Sequence, residues 1–158
     1  MAPDDLTLEQ LRERSGLSID EEGRLLHRGQ PITHARTLAV LWGSLQRGPD
    51  GRYAVTVGRE RAYVAITDAP YAVRAVTPDP VGSAPALSLS DGSAEPLDPA
   101  TLSLGVDGVL RCTVKGGHRA RFTRAGQVAM GALLQEDPPG SAHFQLDVNG
   151  RRWPIGRA

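Results

Sequence analysis

The order strand, tight turn, strand, loop, amphipathic helix occurs twice along this chain, and that repetition narrows the fold more than any other feature. The first occurrence runs from Leu17 to Leu45, the second and looser one from Leu102 to Leu133. In the first, Leu17 and Ile19 alternate with Ser18 and Asp20 as in a half-buried strand. Glu22-Gly23 supplies a turn, and residues 24–27 return as a second strand. Gly29-Gln30-Pro31-Ile32 punctuates the chain again, and Thr33 is placed to cap the helix that follows. There Leu38, Leu41, Trp42 and Leu45 fall at i, i+3, i+4 and i+7, which makes one apolar face for a core.

The second occurrence follows suit. Leu102 and Leu104 match Leu17 and Ile19, Asp107-Gly108 matches Glu22-Gly23, and residues 109–114 match the return strand. After Gly116-Gly117, Ala120 and Phe122 lead to Thr123 as a cap, and Ala129, Met130 and Leu133 take the place of the first helix's apolar face. Strand patterns follow each helix: Tyr53, Val55 and Val57 in one case, Phe144, Leu146 and Val148 in the other, the latter ending in the hairpin signal Asn149-Gly150.

These patterns predict an α+β fold of two similar halves, each an antiparallel sheet packed on or curled around one helix. Residues 1–16 form a lead-in with a short helix, where Thr7 and Gln10 match a capping box. The N-terminal half covers 17–76 and the C-terminal half 102–158. Between them, residues 77–101 hold five prolines and read as a connector with one short strand near Ala86 to Ser90. Pro70 is expected at a bulge, bend or edge. A cleft between the halves is the natural place for a ligand.

Composition restricts the function classes. Acidic and basic residues balance, 18 against 18, so the surplus of cations that a nucleic-acid surface needs is absent. No apolar window approaches a membrane span, and the acidic N-terminus is not a signal peptide, so the expected compartment is the cytoplasm. One cysteine, Cys112, fits a reducing environment. Lys115 is the single lysine among the cations.

Chemistry-bearing motifs are few. The sequence has no G-x-S-x-G, no phosphate loop and no G-x-G-x-x-G opening a helix. His27, His34, His118 and His143 lack metal spacing, so no metal and no cofactor is expected. His27 reads as a strand histidine or as a proton acceptor. Asp68, beside Ala69-Pro70, reads as a cap on backbone N–H groups in a bend, or as a ligand contact, with Tyr71 next to it. The densest positive cluster is Arg119, Arg121 and Arg124. Arg119 and Arg121 project to one side of a strand and Arg124 sits at a helix start, an arrangement suited to an anionic small molecule or an acidic group on a partner, or else to a solvated basic strand.

Several of these runs resemble the bacterial domain-of-unknown-function 1285 (DUF1285) family. Ile19, Asp20, Gly23, His27, Gly29, Pro31 and Ile32 are similar to its opening pattern. Leu45, Arg47, Asp50, Gly51, Arg52 and Tyr53 resemble its L-x-R-x-x-D-G-R-Y segment, and Val64, Asp68, Ala69, Pro70, Tyr71 and Val73 its V-x-D-A-P-F-x-V signature. Residues 119–124 are similar to the start of its second helix. Leu26 stands where the family places an aromatic residue, and Tyr71 where it places Phe. The resemblance implies two similar helix-on-sheet halves and a ligand-binding or signalling role. Three functions therefore compete: a non-enzymatic ligand-binding or signalling module; a protein-interaction scaffold acting through a sheet edge or the N-terminal helix, with homodimerisation through edges as one form; and a hydrolase using Asp68 with His27. The first is the expectation.

Overall fold

The computed structural model describes residues 8–157. They form two compact units, one ending at Pro70 and the other beginning at Tyr71.

In the first unit a short helix α1 (Leu8–Glu13) precedes β1 (Leu17–Ile19), β2 (Leu25–His27) and β3 (Gln30–Pro31). Helix α2 (Ala35–Ser44) follows, then β4 (Gln46–Arg47), β5 (Tyr53–Val57) and β6 (Glu60–Ile66). The six strands form one sheet in the order β3-β2-β1-β6-β5-β4. All neighbours are antiparallel except β1 and β6, which run parallel with Leu17 opposite Val64 and Ile19 opposite Ile66. Alternation decides which side is buried: Ile19, Leu25, Val55 and Val64 turn inward, and Leu41 and Leu45 of the α2 segment join them.

The second unit opens with β7 (Tyr71–Thr77), β8 (Ala86–Leu89) and β9 (Ala94–Pro96), then a 3-10 turn at Pro99–Thr101. It continues with β10 (Ser103–Leu104), β11 (Leu110–Val114), β12 (His118–Phe122) and helix α3 (Arg124–Gly131). The last strands are β13 (Gln135–Glu136), β14 (Phe144–Val148), β15 (Arg151–Pro154) and β16 (Gly156–Arg157). Seven strands pair in the order β16-β10-β11-β12-β7-β8-β9, and β13-β14-β15 make a small third sheet. Phe122, Leu87, Val73, Val114 and Met130 are among its fully buried side chains.

The two halves are similar in pairing order. Reading β3-β2-β1-β6-β5-β4 beside β12-β11-β10-β16 and then β15-β14-β13, each strand of the first unit has a counterpart in the second, with Ile155 interrupting the equivalent of β6. Registers agree residue by residue at the first hairpin: Ser18 faces Leu26 as Ser103 faces Arg111. The turn bond Gly23 N–H to Asp20 O recurs as Gly108 N–H to Gly105 O.

The break between units falls at Pro70, in a bend, and not in the proline-rich stretch. The reason is pairing. Ala120, Arg121 and Phe122 of β12 run parallel to Tyr71, Ala72 and Val73 of β7, which ties residues 71–77 to the second sheet. The stretch expected to be a connector supplies two further strands of that sheet, because its prolines fall at strand ends and turns, where a missing N–H costs nothing.

Two smaller expectations also change. His34, not Thr33, caps α2: its Nδ1 accepts the Thr37 N–H at 3.3 Å. Trp42 and Leu38 are only half-buried, so α2 commits Leu41 alone among its own residues to the core. Thr123 caps α3 as expected, accepting the Gly126 N–H at 3.1 Å. Thr7, the first half of the expected capping box, lies outside the described residues.

Candidate functional site

The strand β12 organises the candidate residues because its two faces differ. His118, Ala120 and Phe122 face the core with Tyr71, Cys112 and Val73, whereas Arg119 and Arg121 point to the other side. Arg121 lies opposite Arg111 and Arg119 opposite Thr113. Arg121 is half-buried, and Arg119, Thr113 and Arg124 are exposed. Arg124 is the first residue of α3, just beyond the strand.

Two guanidiniums directly across a ladder repel, so at least one needs compensation. Arg111, 8% exposed, takes it from Asp107: its two terminal nitrogens donate to the two carboxylate oxygens at 3.1 and 2.7 Å. The hydrogen bonds from Arg111 hold the Asp107 carboxyl far below its ordinary range, helped by the Val109 N–H. Among the described residues, neither Arg119 nor Arg124 makes an ion pair. Arg119 and Arg121 are thus brought to one face as the sequence suggested.

Tyr71 is not brought to that face. It sits beside Ala120 on the core side, 4% exposed, with the His118 ring edge-on at 5.7 Å and Lys115 Nζ 5.6 Å above its ring. Around it lies a polar cluster that sequence reading missed. Lys115 Nζ is 2.8 Å from Asp91 Oδ2, Ser93 donates both its N–H and its hydroxyl to Asp91 Oδ1, and the Lys115 N–H donates to the Glu95 carboxylate. Burial raises the Asp91 carboxyl, but the hydrogen bonds from Lys115 and Ser93 and the ammonium charge outweigh it, so the group sits below its ordinary value. The one available hint was that Lys115 is the chain's single lysine. This cluster joins the β8–β9 turn to the β11–β12 turn.

His27 and Asp68 both belong to the first unit, and the ladder keeps them off opposite ends of β1. His27, exposed, pairs with Leu17, the first residue of that strand, while Asp68 follows Ile66, the partner of its last residue. Val64, opposite Leu17, lies level with His27, whereas Asp68 follows the end of β6 by two residues, in a bend. A hydrolase sharing one proton between these two side chains needs them within hydrogen-bond reach, and the ladder places their backbones toward opposite ends of β1. Asp68 lies in the bend before Pro70 and is half-buried.

Other signature residues build turns. In the hairpin between β4 and β5, Asp50 Oδ1 accepts the Arg52 N–H at 3.1 Å, and the Gly51 N–H donates to Gly48 O. Arg52 then stacks on the Tyr63 ring at 3.5 Å and pairs with Glu13. The Cys112 thiol is pushed up to about 12, first by burial and then by the Glu95 and Asp98 charges, which makes it a core residue and not a nucleophile. Among the described residues, no group of three or more His, Cys, Asp or Glu side chains is placed to hold a metal ion, and no helix is long and apolar enough to cross a membrane.

No protein-family model matches the sequence, and no curated protein matches it. Its structural neighbours are proteins of the DUF1285 family, the family that the sequence motifs resemble. A crystal structure of a DUF1285 family protein from Silicibacter pomeroyi matches with a TM-score of 0.65 at 16% identity, over 89% of this chain and 79% of that one. Another, from Shewanella baltica, matches with a TM-score of 0.57 at 19% identity, over 71% of this chain and 87% of that one. At these identities the likeness is one of fold.

Proposed function

We propose that this chain is a non-enzymatic binding module that takes an anionic group, from a small molecule or an acidic partner, on the arginine-bearing face of β12. One observation carries the reading: Arg119 is exposed and makes no ion pair among the described residues, on a face where the neighbouring Arg111 is already matched by Asp107. A guanidinium presents a planar fork of donors suited to carboxylate or phosphate oxygens.

Comparison of the halves supports the same reading. Through the shared register, Leu26 holds the place of Arg111, and the residue across from Leu26 is Pro31. Arg121 therefore stands where the first half has proline. The first half achieves its sheet with a two-residue β3 and no arginine there, so the row on β11 and β12 is not a requirement of the shared topology.

The scaffold alternative finds less support. The outer strands of the three sheets are two to four residues long, and Pro31, Pro96 and Pro154 lie in them. Such edges are poor templates for an added strand.

Thermal unfolding in phosphate, citrate and polyglutamate, at matched ionic strength, tests the proposal. At least one anion should raise the midpoint of the wild type by about a few degrees, and Arg119→Glu should remove the shift without lowering the midpoint in its absence. A wild type indifferent to all three anions would sink the idea.

A further inference from the structure

We infer that Asn149-Gly150 is a self-modification site: when the β14–β15 hairpin opens, the Gly150 backbone nitrogen converts Asn149 into aspartate and isoaspartate, and the loop at residues 79–83 sets how often it opens. Asn149 is the chain's single asparagine. It and Gly150 form the two-residue turn of the hairpin, at φ 52° and 78°, both exposed. These are type I′ values, at which the ψ of Asn149 is about 30°. Attack on Asn149 Cγ closes a five-membered ring through Cβ, Cα, the carbonyl carbon and the Gly150 nitrogen. Such a ring needs the Cβ–Cα–C–N torsion close to planar, and a type I′ turn holds it far from that. The turn must therefore open first. Glycine favours the step once it has, because no Cβ crowds the attacking nitrogen.

A latch holds the turn closed. The Asn149 N–H donates to Gly82 O at 2.8 Å, and the Ser83 hydroxyl donates to Asn149 Oδ1 at 3.1 Å. The loop that supplies these partners is itself closed by Asp79, whose Oδ2 accepts the Ser83 N–H and whose carbonyl accepts the Gly82 N–H. In the opened turn the Gly150 nitrogen bonds to Asn149 Cγ. Its proton passes through solvent to the side-chain amide nitrogen, which leaves as ammonia with the electron pair of the broken C–N bond. Water then opens the succinimide at either carbonyl. One opening restores the ordinary backbone as aspartate, whose carboxylate still accepts the Ser83 hydroxyl. The other leaves isoaspartate, with one extra methylene in the main chain of a two-residue turn. That product loses the register that puts Val148 opposite Arg151, and β14 carries the buried Leu146 and Val148.

The test incubates the full chain at mildly alkaline pH, folded and in guanidinium chloride. Peptide mapping by mass spectrometry follows Asn149, with aspartyl and isoaspartyl peptides separated by chromatography. The unfolded chain should convert readily and the folded chain much more slowly. Ser83→Ala removes one arm of the latch. It should speed conversion of the folded chain by about fivefold, the scale of one net hydrogen bond, and leave the rate in guanidinium chloride unchanged. The isoaspartyl fraction of aged protein should melt below Asn149→Asp, which is the aspartyl product made directly. An Asn149 that survives in guanidinium chloride overturns the site. Folded and unfolded chains converting at one rate, or Ser83→Ala converting no faster than the wild type, overturns the latch. An isoaspartyl fraction as stable as Asn149→Asp overturns the effect on β14.

Discussion

Gly126 of α3 sits directly against the backbone of Val73 in β7, so close that a Cβ at this position would overlap the Val73 carbonyl oxygen. The same oxygen accepts the Thr123 N–H at 3.0 Å and the Thr123 hydroxyl at 3.2 Å. The start of α3 is therefore clamped to the strand that opens the second unit, and glycine is what permits the approach. Gly126→Ala pits two effects against each other. Helix propensity favours alanine by about 1 kcal/mol, but the obstacle is backbone, which cannot swing aside, and overpacking of that kind costs about 1–3 kcal/mol or more. Net destabilisation is expected in chemical denaturation. An alanine variant as stable as the wild type would show that α3 is not clamped in this way.

The two helix caps predict opposite outcomes for chemically similar threonines. Thr123→Ala removes a cap and the hydroxyl bond to Val73, so it should cost about 1–2 kcal/mol. Thr33→Ala should stay within about 0.5 kcal/mol, since Thr33 is exposed and His34 does the capping. Replacing His34 by aspartate, a stronger cap whose charge favours a helix N-terminus, should stabilise by about 0.5–1 kcal/mol. Urea unfolding of the three variants decides the matter; a large loss from Thr33→Ala would return the cap to Thr33.

The cap of α2 lies one residue beyond the position that residue type marks. Residue type identifies a helix start at Thr33 and at Thr123, but in the first half the helix begins one residue later, with His34 as its cap, and no local residue pattern marks that shift. Turns and alternation were readable because Gly23, Gly108 and Asn149-Gly150 act locally: they sit at positive φ, or next to it, whatever the rest of the chain does. The role of residues 71–101 was not readable. Proline count suggested a connector, while the parallel pairing of Tyr71–Val73 with Ala120–Phe122 joins segments about fifty positions apart and leaves no local mark. At the site, alternation placed Arg119 and Arg121 on one face. The burial of Tyr71 on the other face, under Lys115, depends on that same distant pairing.

Stability on the acid side should depend on Asp107 and Asp91. Both carboxyls are held below their ordinary values in the folded chain. As pH falls through the ordinary carboxylate range near 4, the unfolded state takes up their protons first, so folded stability that is complete at neutral pH drains away through that range and down to the folded values. Asp107→Asn and Asp91→Asn should each lower the melting midpoint at pH 7 and flatten its decline between about pH 5 and pH 2. Melting curves across that range check the sign. An Asp107→Asn profile parallel to wild type would mean that the Arg111 pair contributes no pH dependence.

Lys115 should prove energetically coupled to Asp91. The Asp91 side chain is only 10% exposed, and its Oδ2 lies 2.8 Å from Lys115 Nζ, which is also poised over the buried Tyr71 ring. Lys115→Met keeps the apolar stem and removes the charge, leaving a mostly buried carboxylate with Ser93 alone to satisfy it. The expected cost is about 1–2 kcal/mol, in the range for a lost charge-assisted hydrogen bond. In Lys115→Met/Asp91→Asn the orphaned charge is gone, so the double variant should be more stable than the sum of the two single losses predicts, by about 0.5–1 kcal/mol or more. Lys115→Arg should not fully rescue, because a broad planar guanidinium cannot occupy the place of a compact ammonium between Asp91, Ser93 and the ring. Additive single and double variants in urea unfolding would mean that the contact is a surface ion pair without structural weight. The β8–β9 and β11–β12 turns would then be held together by the Glu95 carboxylate on the Lys115 backbone, which all of these substitutions leave in place.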